Sequence, residues 1–467
     1  MTTKSHFLDY LFNPKSIALV GASGKEGKIG YFYLKNLLEY KGKIFPVNPK
    51  EEEVLGTKCY KSVSEIDEEI DLAVLVIASK FVVDVIKECA EKKVKVAVVT
   101  SAGFSETGEE GKKLEEEMLS IARKAGMRIV GPNCFGIRNC NASLNATFSF
   151  EASKEPGTIS FLTQSGGGGE VIYIQGMDEG LKFSKFMVCG NKSDLDDYEV
   201  IDYFGNDPET NVICLFLESI KEGRKFYESA KKVSSKKPIV VCKVGRTEGA
   251  ARAASSHTAA IAGNTVAFDT AFKQAGLIQT RNAQELIDVV KAVDWQPLPR
   301  GNKLGIITAS GGLGVELTDL AEESGLEVPE LEPEIQERIK ALIPPFASAR
   351  NPVDMTPIWG QFSEVMKKTI EAFYESNKVD IIVPIIVLRA TRMTDLLESV
   401  RDSILECQNK YEAKKPVYIC WISLKDSIQN KQIFENAKIP CYEWTGRIAR
   451  TSALVREYAS YLEKLKN

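Results

Sequence analysis

Two segments of this 467-residue chain repeat one another without a gap. The segment TISFLTQSGGGGEVIYIQGMDEGL begins at Thr158, and KLGIITASGGLGVELTDLAEESGL begins at Lys303, at an offset of 145 residues. Each has a short apolar run, a Ser-Gly-Gly turn and an amphipathic stretch, which predicts a strand, a tight turn and a helix. The aligned identities include Thr163 and Thr308, Ser165 and Ser310, Gly166 and Gly311, Gly167 and Gly312, and Gly169 and Gly314. Repeated strand–turn–helix units are typical of parallel sheets covered by helices.

The rest of the chain shows the same alternation. Apolar, β-branched runs such as SIALVGAS, DLAVLVIAS and NVICLFLES alternate with helical stretches such as Tyr31–Tyr40 and Glu109–Ala125. This pattern predicts an α/β protein with a Rossmann-like domain at residues 1–145, followed by two flavodoxin-like, doubly wound domains at 150–296 and 301–467. The proline- and glycine-bearing segment QPLPRGNK, which begins at Gln296, is expected to link the last two domains.

Each Ser-Gly-Gly turn is a candidate anion site. The first backbone N–H groups of a helix have no partner within the helix, and the helix dipole is positive at that end. Glycine lets an anion approach these N–H groups closely, and the serine adds a hydroxyl. The alternative is that the glycines only permit a tight turn. Because two copies both carry the serine, the pattern favours two phosphate-binding turns.

The first glycine-rich turn, VGASGKEGKIG from Val20 to Gly30, has a different spacing. Its glycines do not match the G-x-G-x-x-G fingerprint of dinucleotide-binding proteins. The next strand ends in PVNPK, where an NAD-binding protein usually offers an acidic residue to the ribose. Lys25, Lys28 and Lys50 suit phosphate groups instead. These residues favour coenzyme A as the ligand, with NADP as the alternative.

Composition excludes several classes of protein. The net charge of -4 argues against a nucleic-acid or anionic-membrane binder. The sequence has no apolar run near the roughly 20 residues that span a bilayer, and its start has no apolar signal core, so we expect a cytoplasmic protein. The ten cysteines lie in strand-like runs such as IVVCKV, without a CxxC pair, which predicts buried, reduced thiols.

His257 lies in a segment of unusually small residues. The stretch GRTEGAARAASSHTAAIAG, from Gly245 to Gly263, holds one large apolar side chain, Ile261, so nothing in it can anchor a core. We expect a surface segment that is free to move. An exposed histidine in an alanine-rich helix is the alternative. The segment also offers polar neighbours suited to a phosphate, namely Ser255, Ser256 and Thr258.

A nucleophilic imidazole must be neutral, with an acceptor that holds its protonated ring nitrogen. Glu218 follows the apolar run NVICLFL and is therefore expected at the carboxyl end of a strand, where open α/β sheets bind ligands. A cap for the next helix is the alternative role. The cluster Asp194, Asp196 and Asp197 in GNKSDLDD predicts a helix start, with a metal site as its alternative.

The motifs together resemble one family. SIALVGAS, PVNPK, SAGFSETG, GPNCFGI, TQSGGGGE, GNKSDLDD, CKVGRTEGAARAASSHTAAIAG and TASGGLGVE stand in the order found in the α subunits of NDP-forming acyl-CoA synthetases, specifically the ADP-forming acetyl-CoA synthetases of archaea. The chain is also similar to succinyl-CoA synthetase. The resemblance spans essentially the whole chain. It implies an acid–thiol ligase that converts acyl-CoA, ADP and phosphate to acid, CoA and ATP.

The resemblance also implies residue roles. His257 would be phosphorylated, Glu218 would orient it, and Asn133 in GPNCFG would lie near the acyl group and the attacking phosphate. The turns Ser165-Gly166-Gly167 and Ser310-Gly311-Gly312 would face the phosphohistidine. The positions that match the CoA-binding loops of the family are Gly21, Ala22, Ser23, Ile29, Gly30, Val47, Asn48, Pro49, Lys50, Ile77, Ala78, Ser79, Ala102, Gly103 and Phe104.

The chain has no portion that resembles the ATP-grasp region of fused family members. The resemblance therefore implies an ATP-grasp β subunit that carries ADP or ATP and Mg²⁺, within an α2β2 heterotetramer, and no metal on this chain. The segment around His257 would swing to carry the phosphoryl group to that partner.

Two other classes of function are weighed against this one. A CoA-binding regulatory protein would use the first domain but not His257, and a dehydrogenase would need the NAD fingerprint that PVNPK lacks. Acetate is the expected acid by overall resemblance, while the sequence does not fix the acyl group or the nucleotide.

Overall fold

The computed structural model describes residues 6–151, 155–250, 252, 265–358 and 360–466. Residue contacts divide the chain into two compact units, Met1–Ala283 and Gln284–Asn467. The first unit contains two parallel-stranded sheets and the second unit contains one. The α/β fold class predicted from the alternating pattern is confirmed.

The first sheet of the first unit is entirely parallel. Its strands are buried apolar runs, as expected when helices cover both faces of a sheet. In spatial order the strands are Lys43–Val47, Ser16–Val20, Leu72–Leu75, Val96–Val99 and Arg128–Val130. A small hairpin joins Glu53–Val54 to Thr57–Lys58. The helices of this region are Phe7–Phe12, Ile29–Leu37, Val82–Glu91 and Glu109–Lys124.

The second sheet of the first unit has seven strands. Five are parallel, and an antiparallel hairpin extends the edge formed by Phe183–Val188. In spatial order the strands are Ile278–Thr280, Ile239–Lys243, Val212–Leu217, Ile159–Thr163, Phe183–Val188, Ile137–Asn139 and Leu144–Ala146. Its helices are Gly166–Asp178, Asp197–Asn206, Gly223–Ser234 and Thr265–Gln274. The hairpin comes from residues that the sequence placed at the end of the first domain.

The third sheet belongs to the second unit and is also parallel. In spatial order its strands are Val353–Asp354, Leu304–Thr308, Ile381–Val387, Ile419–Ile422 and Cys441–Tyr442. The helices of this unit are Ala283–Trp295, Gly311–Glu323, Pro333–Lys340, Phe362–Glu375, Thr394–Lys410, Gln432–Glu435 and Thr445–Lys466.

All three sheets share one strand order. In chain order within each sheet, and leaving the added hairpin aside, the parallel strands are arranged 2-1-3-4-5. The order reverses between the first and third strands, and ligands of open α/β sheets bind at the carboxyl ends of the strands at such a reversal. The fold therefore creates three such positions, one for each glycine-rich turn found in the sequence.

The helix Ala283–Trp295 begins at the division between the two compact units. Contacts place all of it but Ala283 in the second unit. The domain boundary predicted after residue 296 stays a prediction. Buried charges explain the position of the helix. Lys291 donates to Glu435 at 2.7 Å, and Arg447 makes two bonds to Asp288.

The cysteine prediction is confirmed. All ten thiols are free and buried. Burial raises the pKa of Cys134 to about 12, so this thiol is protonated at neutral pH. In the described part of the chain, no helix is long and apolar enough to cross a membrane.

Candidate active site

The first glycine-rich turn requires glycine at two positions. Gly21 has a φ of 93°, and a Cβ on it would lie 2.2 Å from the carbonyl oxygen of Val76. A Cβ on Gly30 would lie 1.9 Å from the carbonyl oxygen of Gly21. The start of the helix Ile29–Leu37 therefore packs directly on the end of the first strand. Because neither glycine has a side chain, the carboxyl edge of the sheet beside them stays open to a ligand.

Two cavities lie at this edge, with volumes of about 560 and 720 Å³. They share Gly21, Asn48, Ile77 and Ala78, so they adjoin one another. Each has the size of a typical small-molecule site, and together they suit a long ligand such as a nucleotide with an extended arm.

Most of the predicted CoA positions line these cavities. They are Gly21, Ser23, Ile29, Gly30, Val47, Asn48, Pro49, Lys50, Ile77, Ala78 and Ala102. The remaining four, Ala22, Ser79, Gly103 and Phe104, are next to lining residues in the chain or in space but are not among them. The carbonyl of Ala22 accepts a 2.8 Å bond from Asn48, Phe104 is fully buried, and a Cβ on Gly103 would lie 2.6 Å from Ser79 Oγ. These four positions support the lining rather than form it.

Sequence reasoning missed several lining residues. Lys61 and Phe81 line the smaller cavity, and Tyr33, Ser101 and Phe148 line the larger one. Phe81 is a large aromatic side chain that is nevertheless 53% exposed, as expected for one that faces a ligand. This exposure is visible only in the structure. Lys61 adds a cation that lines the same cavity as Lys50. No local sequence pattern marks these positions, because the chain brings them together from separate loops.

Asn133 lies between the two sheets of the first unit. Its backbone N–H donates to the carbonyl of Ser101, a residue of the larger cavity, at 2.9 Å. Its side-chain amide donates to Asn191 Oδ1 at 3.3 Å. Asn191 follows the strand Phe183–Val188 of the second sheet, so Asn133 connects the larger cavity to the carboxyl edge of that sheet.

Glu106 fixes this junction. Its carboxylate accepts bonds from the N–H groups of Gly103 at 2.6 Å and Phe104 at 3.2 Å, and from the amide of Asn191 at 2.7 Å. Burial alone would raise the pKa of Glu106, but these donors outweigh it and hold the pKa below its usual value. The ionised carboxylate therefore ties the loop of the first sheet to the edge of the second.

The first Ser-Gly-Gly turn stands at the reversal of strand order in the second sheet. Ser165 is the N-cap of the helix Gly166–Asp178, and its hydroxyl makes no capping hydrogen bond. A Cβ on Gly167 would meet nothing within 4 Å, so the space in front of the turn is open. The free N–H groups and the open space fit the predicted anion site.

Glu218 lies beside this turn. The side-chain oxygen of Gln164 accepts hydrogen bonds from the backbone N–H groups of Glu218 at 3.1 Å and Ser219 at 2.9 Å. Gln164 therefore joins the ends of the first and third strands of the sheet. The Oε2 atom of Glu218 is buried and has no hydrogen-bond partner among the residues that the structure describes. This carboxylate oxygen remains available to a donor brought to the site.

Three lysines that the sequence reasoning missed surround this edge. Lys192 is buried and donates to Asp197 at 2.8 Å and to the carbonyl of Ser219 at 2.7 Å. Lys221 donates to the carbonyls of Asn191 and Lys192. Lys243 ends the strand next to that of Glu218. Lys192 is paired with Asp197, whereas Lys221 and Lys243 donate only to backbone carbonyls within the described residues. These two lysines add positive charge to the edge, which suits a phosphorylated substrate.

The aspartates of GNKSDLDD have other partners. Asp194 accepts a 2.7 Å bond from Arg128, and Asp197 pairs with Lys192. Asp196 caps the helix Asp197–Asn206 in a capping box with Glu199. These contacts agree with a helix start. Within the described ranges, no group of histidine, cysteine and acidic side chains is arranged to bind a metal.

His257 lies outside the described residues, together with Ser255, Ser256 and Thr258. The chain on either side of them is anchored. Arg246 makes bonds of 3.0 and 2.7 Å to Asp269 in the helix Thr265–Gln274. Thr265 Oγ1 donates to the carbonyl of Arg246 at 2.5 Å. Residue 246 and residue 265 are therefore in direct contact.

The second Ser-Gly-Gly turn lies within the other unit and has the same local geometry. Ser310 is the N-cap of the helix Gly311–Glu323, and a Cβ on Gly312 would meet nothing within 4 Å. Its surroundings differ. The residue that follows the third strand of this sheet is Leu388, where the second sheet has Glu218. The acidic neighbour of this turn is Asp354, whose Oδ2 atom would lie 2.6 Å from a Cβ on Gly311. The repeat therefore preserves the turn but not the position of its acidic neighbour.

The CoA-sized cavities and the glycine turns agree with comparisons to known proteins. Residues 15–139 match the CoA binding domain family, 156–293 the succinyl-CoA ligase like flavodoxin domain, and 304–422 the ligase-CoA domain. The class of protein is therefore a CoA ligase of the succinyl-CoA synthetase type, an acid–thiol ligase.

Comparison with individual relatives identifies the family of this chain within that class of ligases. The α subunit of ADP-forming acetate–CoA ligase II from Pyrococcus furiosus is 42% identical over 455 residues, which cover 96% of this chain and 98% of that one. This chain belongs to the family of ADP-forming acetate–CoA ligase α subunits.

A solved structure supports this membership. The acetyl-coenzyme A synthetase 1 of Candidatus Korarchaeum cryptofilum, solved with phosphate and ADP, has a TM-score of 0.89 and 36% identity, covering 98% of this chain and 99% of that one. The ADP-forming acetate–CoA ligase of Methanocaldococcus jannaschii is 41% identical over 355 residues, but this alignment covers only 50% of that protein.

Proposed function

We propose that the chain is the α subunit of an ADP-forming acyl-CoA synthetase, with acetyl-CoA as the default substrate. The reaction converts acyl-CoA, ADP and phosphate to acid, CoA and ATP. The observation that carries this proposal is the continuity between two parts of one unit. Asn133 and Asn191 connect the larger cavity with the edge where Ser165 and Glu218 lie.

CoA occupies the two cavities in this proposal. The glycines at 21 and 30 let the ligand approach the backbone, and Lys50 and Lys61 supply charge for its phosphates. The thioester end lies in the larger cavity, which Ser101 and Ala102 line. That end then faces Asn133, where phosphate attacks.

The chemistry has two transfers on this chain. A phosphate oxygen attacks the thioester carbonyl, the C–S bond breaks, and the CoA sulfur leaves and takes up a proton, which leaves an acyl phosphate. A ring nitrogen of His257 then attacks phosphorus, the acyl O–P bond breaks, and the carboxylate departs. Glu218 accepts the other ring N–H, and the turn at Ser165 stabilises charge on the phosphoryl oxygens. We assign the turn at Ser310 the same kind of role.

A partner completes the cycle in this proposal. An ATP-grasp β subunit binds ADP and Mg²⁺ and receives the phosphoryl group that His257 carries, within an α2β2 assembly. Support comes from relatives that are themselves named subunit alpha, and from a longer relative of which this chain covers half. The boundaries at residues 145, 150, 296 and 301 remain part of the same proposal.

Phosphoenzyme formation tests the function. The wild-type chain, co-purified with its partner, is incubated with acetyl-CoA and ³²P-phosphate. Label is expected on the wild-type chain and not on His257→Ala, while CoA binding is the same in both. The variant His6→Ala serves as the matched control, because His6 is the only other histidine of the chain and is expected to leave labelling unchanged. Undiminished label on His257→Ala would refute the assignment.

The CoA-binding regulatory function is not favoured, because the chain matches ligases along nearly its whole length. The same labelling experiment separates the two functions, since a regulator would bind CoA without forming a phosphoenzyme.

A further inference from the structure

Phe148 is a large aromatic side chain that stays exposed at the wall of the larger cavity. It follows the hairpin strand Leu144–Ala146 and is 38% exposed. It lines the cavity together with Tyr33 and Cys134. Exposed apolar side chains within a groove mark places where an apolar part of a ligand binds, because burial of that surface on binding is favourable.

The backbone on both sides of Phe148 is held by side chains from elsewhere in the fold. The amide group of Asn36 donates to the carbonyls of Thr147 at 2.9 Å and Ser149 at 2.8 Å. The amide group of Asn145 donates to the carbonyl of Ser149 as well, at 3.1 Å. The fold therefore sets where the ring stands in the cavity, and a side chain held in this way can define the shape of a site.

A second aromatic side chain connects Phe148 to the first Ser-Gly-Gly turn. The ring of Phe135 packs on that of Phe148, with the ring centroids 4.2 Å apart and the planes inclined at 48°. The hydroxyl of Tyr33 donates to the carbonyl of Phe135 at 2.8 Å and so holds its backbone. A Cβ on Gly166, the first residue of the helix in that turn, would lie 3.7 Å from the Cβ of Phe135. The pair of rings therefore joins the larger cavity to the turn.

Phe148 lies at the end of the site where the thioester is expected. Asn133, near which phosphate attacks in the proposed function, stands two residues before Phe135 in the chain. The cations that suit the phosphates of CoA, Lys50 and Lys61, line the smaller cavity instead. A ligand with its phosphates in the smaller cavity and its thioester in the larger one would therefore place its acyl group against the two rings.

We propose that Phe148 is a specificity-determining residue, whose ring limits the acyl group of the thioester to a short aliphatic chain such as acetyl. The inference rests on the proposed function and deepens it, since it assigns the class of acyl group. A fixed aromatic wall selects by size, because a longer acyl chain must displace the ring or move the thioester away from its reactive position. One methylene group in such a pocket typically changes kcat/KM by about 10- to 200-fold.

The test compares kcat/KM for acetyl-CoA and butyryl-CoA, with ADP and phosphate, in the intact complex of the chain and its partner subunit. The wild type is expected to prefer acetyl-CoA. Phe148→Ala removes the ring and should raise the ratio of butyryl-CoA to acetyl-CoA activity by roughly 10-fold or more. Phe148→Trp should lower that ratio below the wild-type value. A purely structural role would not move the ratio, because a loss of folded enzyme lowers both activities equally.

Phe150 provides the matched control two residues further along the chain. Its ring is 50% exposed, packs edge-on against Phe32 with the centroids 5.0 Å apart, and lines neither of the two cavities. Phe150→Ala should therefore leave the ratio unchanged.

Three results would overturn the inference. They are a wild-type preference for butyryl-CoA, an unchanged ratio in Phe148→Ala, and an equal shift in Phe150→Ala. The proposed function would survive each of them, because its own test is label at His257. A wild-type complex that turns over neither thioester would refute both.

Discussion

At the scale of single residues, a buried ion pair lies at the carboxyl edge of the second sheet. Lys192 and Asp197 form an ion pair in which both side chains are fully buried. Lys192 also has a left-handed φ of 51° and holds the carbonyl of Ser219, next to Glu218. The pair therefore fixes the backbone that presents the proposed catalytic carboxylate.

Breaking this pair should be costly. Lys192→Met leaves the charge of Asp197 buried and unpaired, and such a loss typically costs about 3–5 kcal/mol. We expect a lower free energy of urea-induced unfolding for Lys192→Met and substantial recovery in Lys192→Met/Asp197→Leu. The control is Lys232→Met, which removes the exposed partner of Asp202 at 3.7 Å and should cost less than about 1 kcal/mol. A wild-type unfolding curve for Lys192→Met would contradict this account.

At the scale of elements, the helix Phe362–Glu375 depends on a lysine from another part of the second unit. Lys415 Nζ donates to the carbonyls of Phe373 at 2.7 Å and Ser376 at 2.6 Å, at the end of this helix. The last carbonyls of a helix have no partner within it, so the lysine satisfies groups that burial would leave unpaired. Burial lowers the pKa of Lys415 to about 8.

This pKa predicts a direction for pH dependence. Between pH 8 and 10.5, the unfolded chain still binds the proton of Lys415 while the folded chain has released it. The contribution of Lys415 to stability therefore rises with pH through this window. We expect the difference in unfolding temperature between wild type and Lys415→Met to shift in favour of wild type from about pH 7.5 to pH 10. Lys378→Met, at an exposed neighbour, should show no such trend, and a shift in favour of Lys415→Met would contradict the assignment.

The sequence predicted the elements that local interactions determine better than those that depend on long-range contacts. Strands and glycine turns were predicted well because apolar runs and glycine spacing are local. The helix predicted at Glu109–Ala125 is Glu109–Lys124, whereas the one predicted at Tyr31–Tyr40 begins and ends earlier, at Ile29–Leu37. Its start depends on the contact of Gly30 with Gly21, which is formed only in the fold.

Long-range pairings could not be predicted. The hairpin at 137–146 joins the second sheet by antiparallel pairing with Phe183–Val188, and nothing in its own sequence specifies that partner. No local pattern marks lysines 192, 221 and 243, since their partners come from other loops or from strand ends. The cavity residues Lys61 and Phe81 were missed for the same reason.

At the scale of the whole molecule, one topology occurs three times, and each copy places a glycine-rich turn where its strand order reverses. The first copy has the CoA-sized cavities, the second the turn with Glu218, and the third a turn beside Asp354. The same backbone thus supports different chemistry, because the side chains at the strand ends differ.

The contact between Arg246 and Thr265 has a consequence for engineering. Because these two residues touch, the two ends of the segment 247–264 lie close together. A short glycine–serine bridge should therefore replace it with the unfolding temperature and CoA affinity preserved and phosphoenzyme formation lost. A grafted segment from a relative should restore the label. A large fall in unfolding temperature on bridging would show that the segment is not separable. If the label is restored, the segment 247–264 can evolve and be redesigned separately from the rest of the fold.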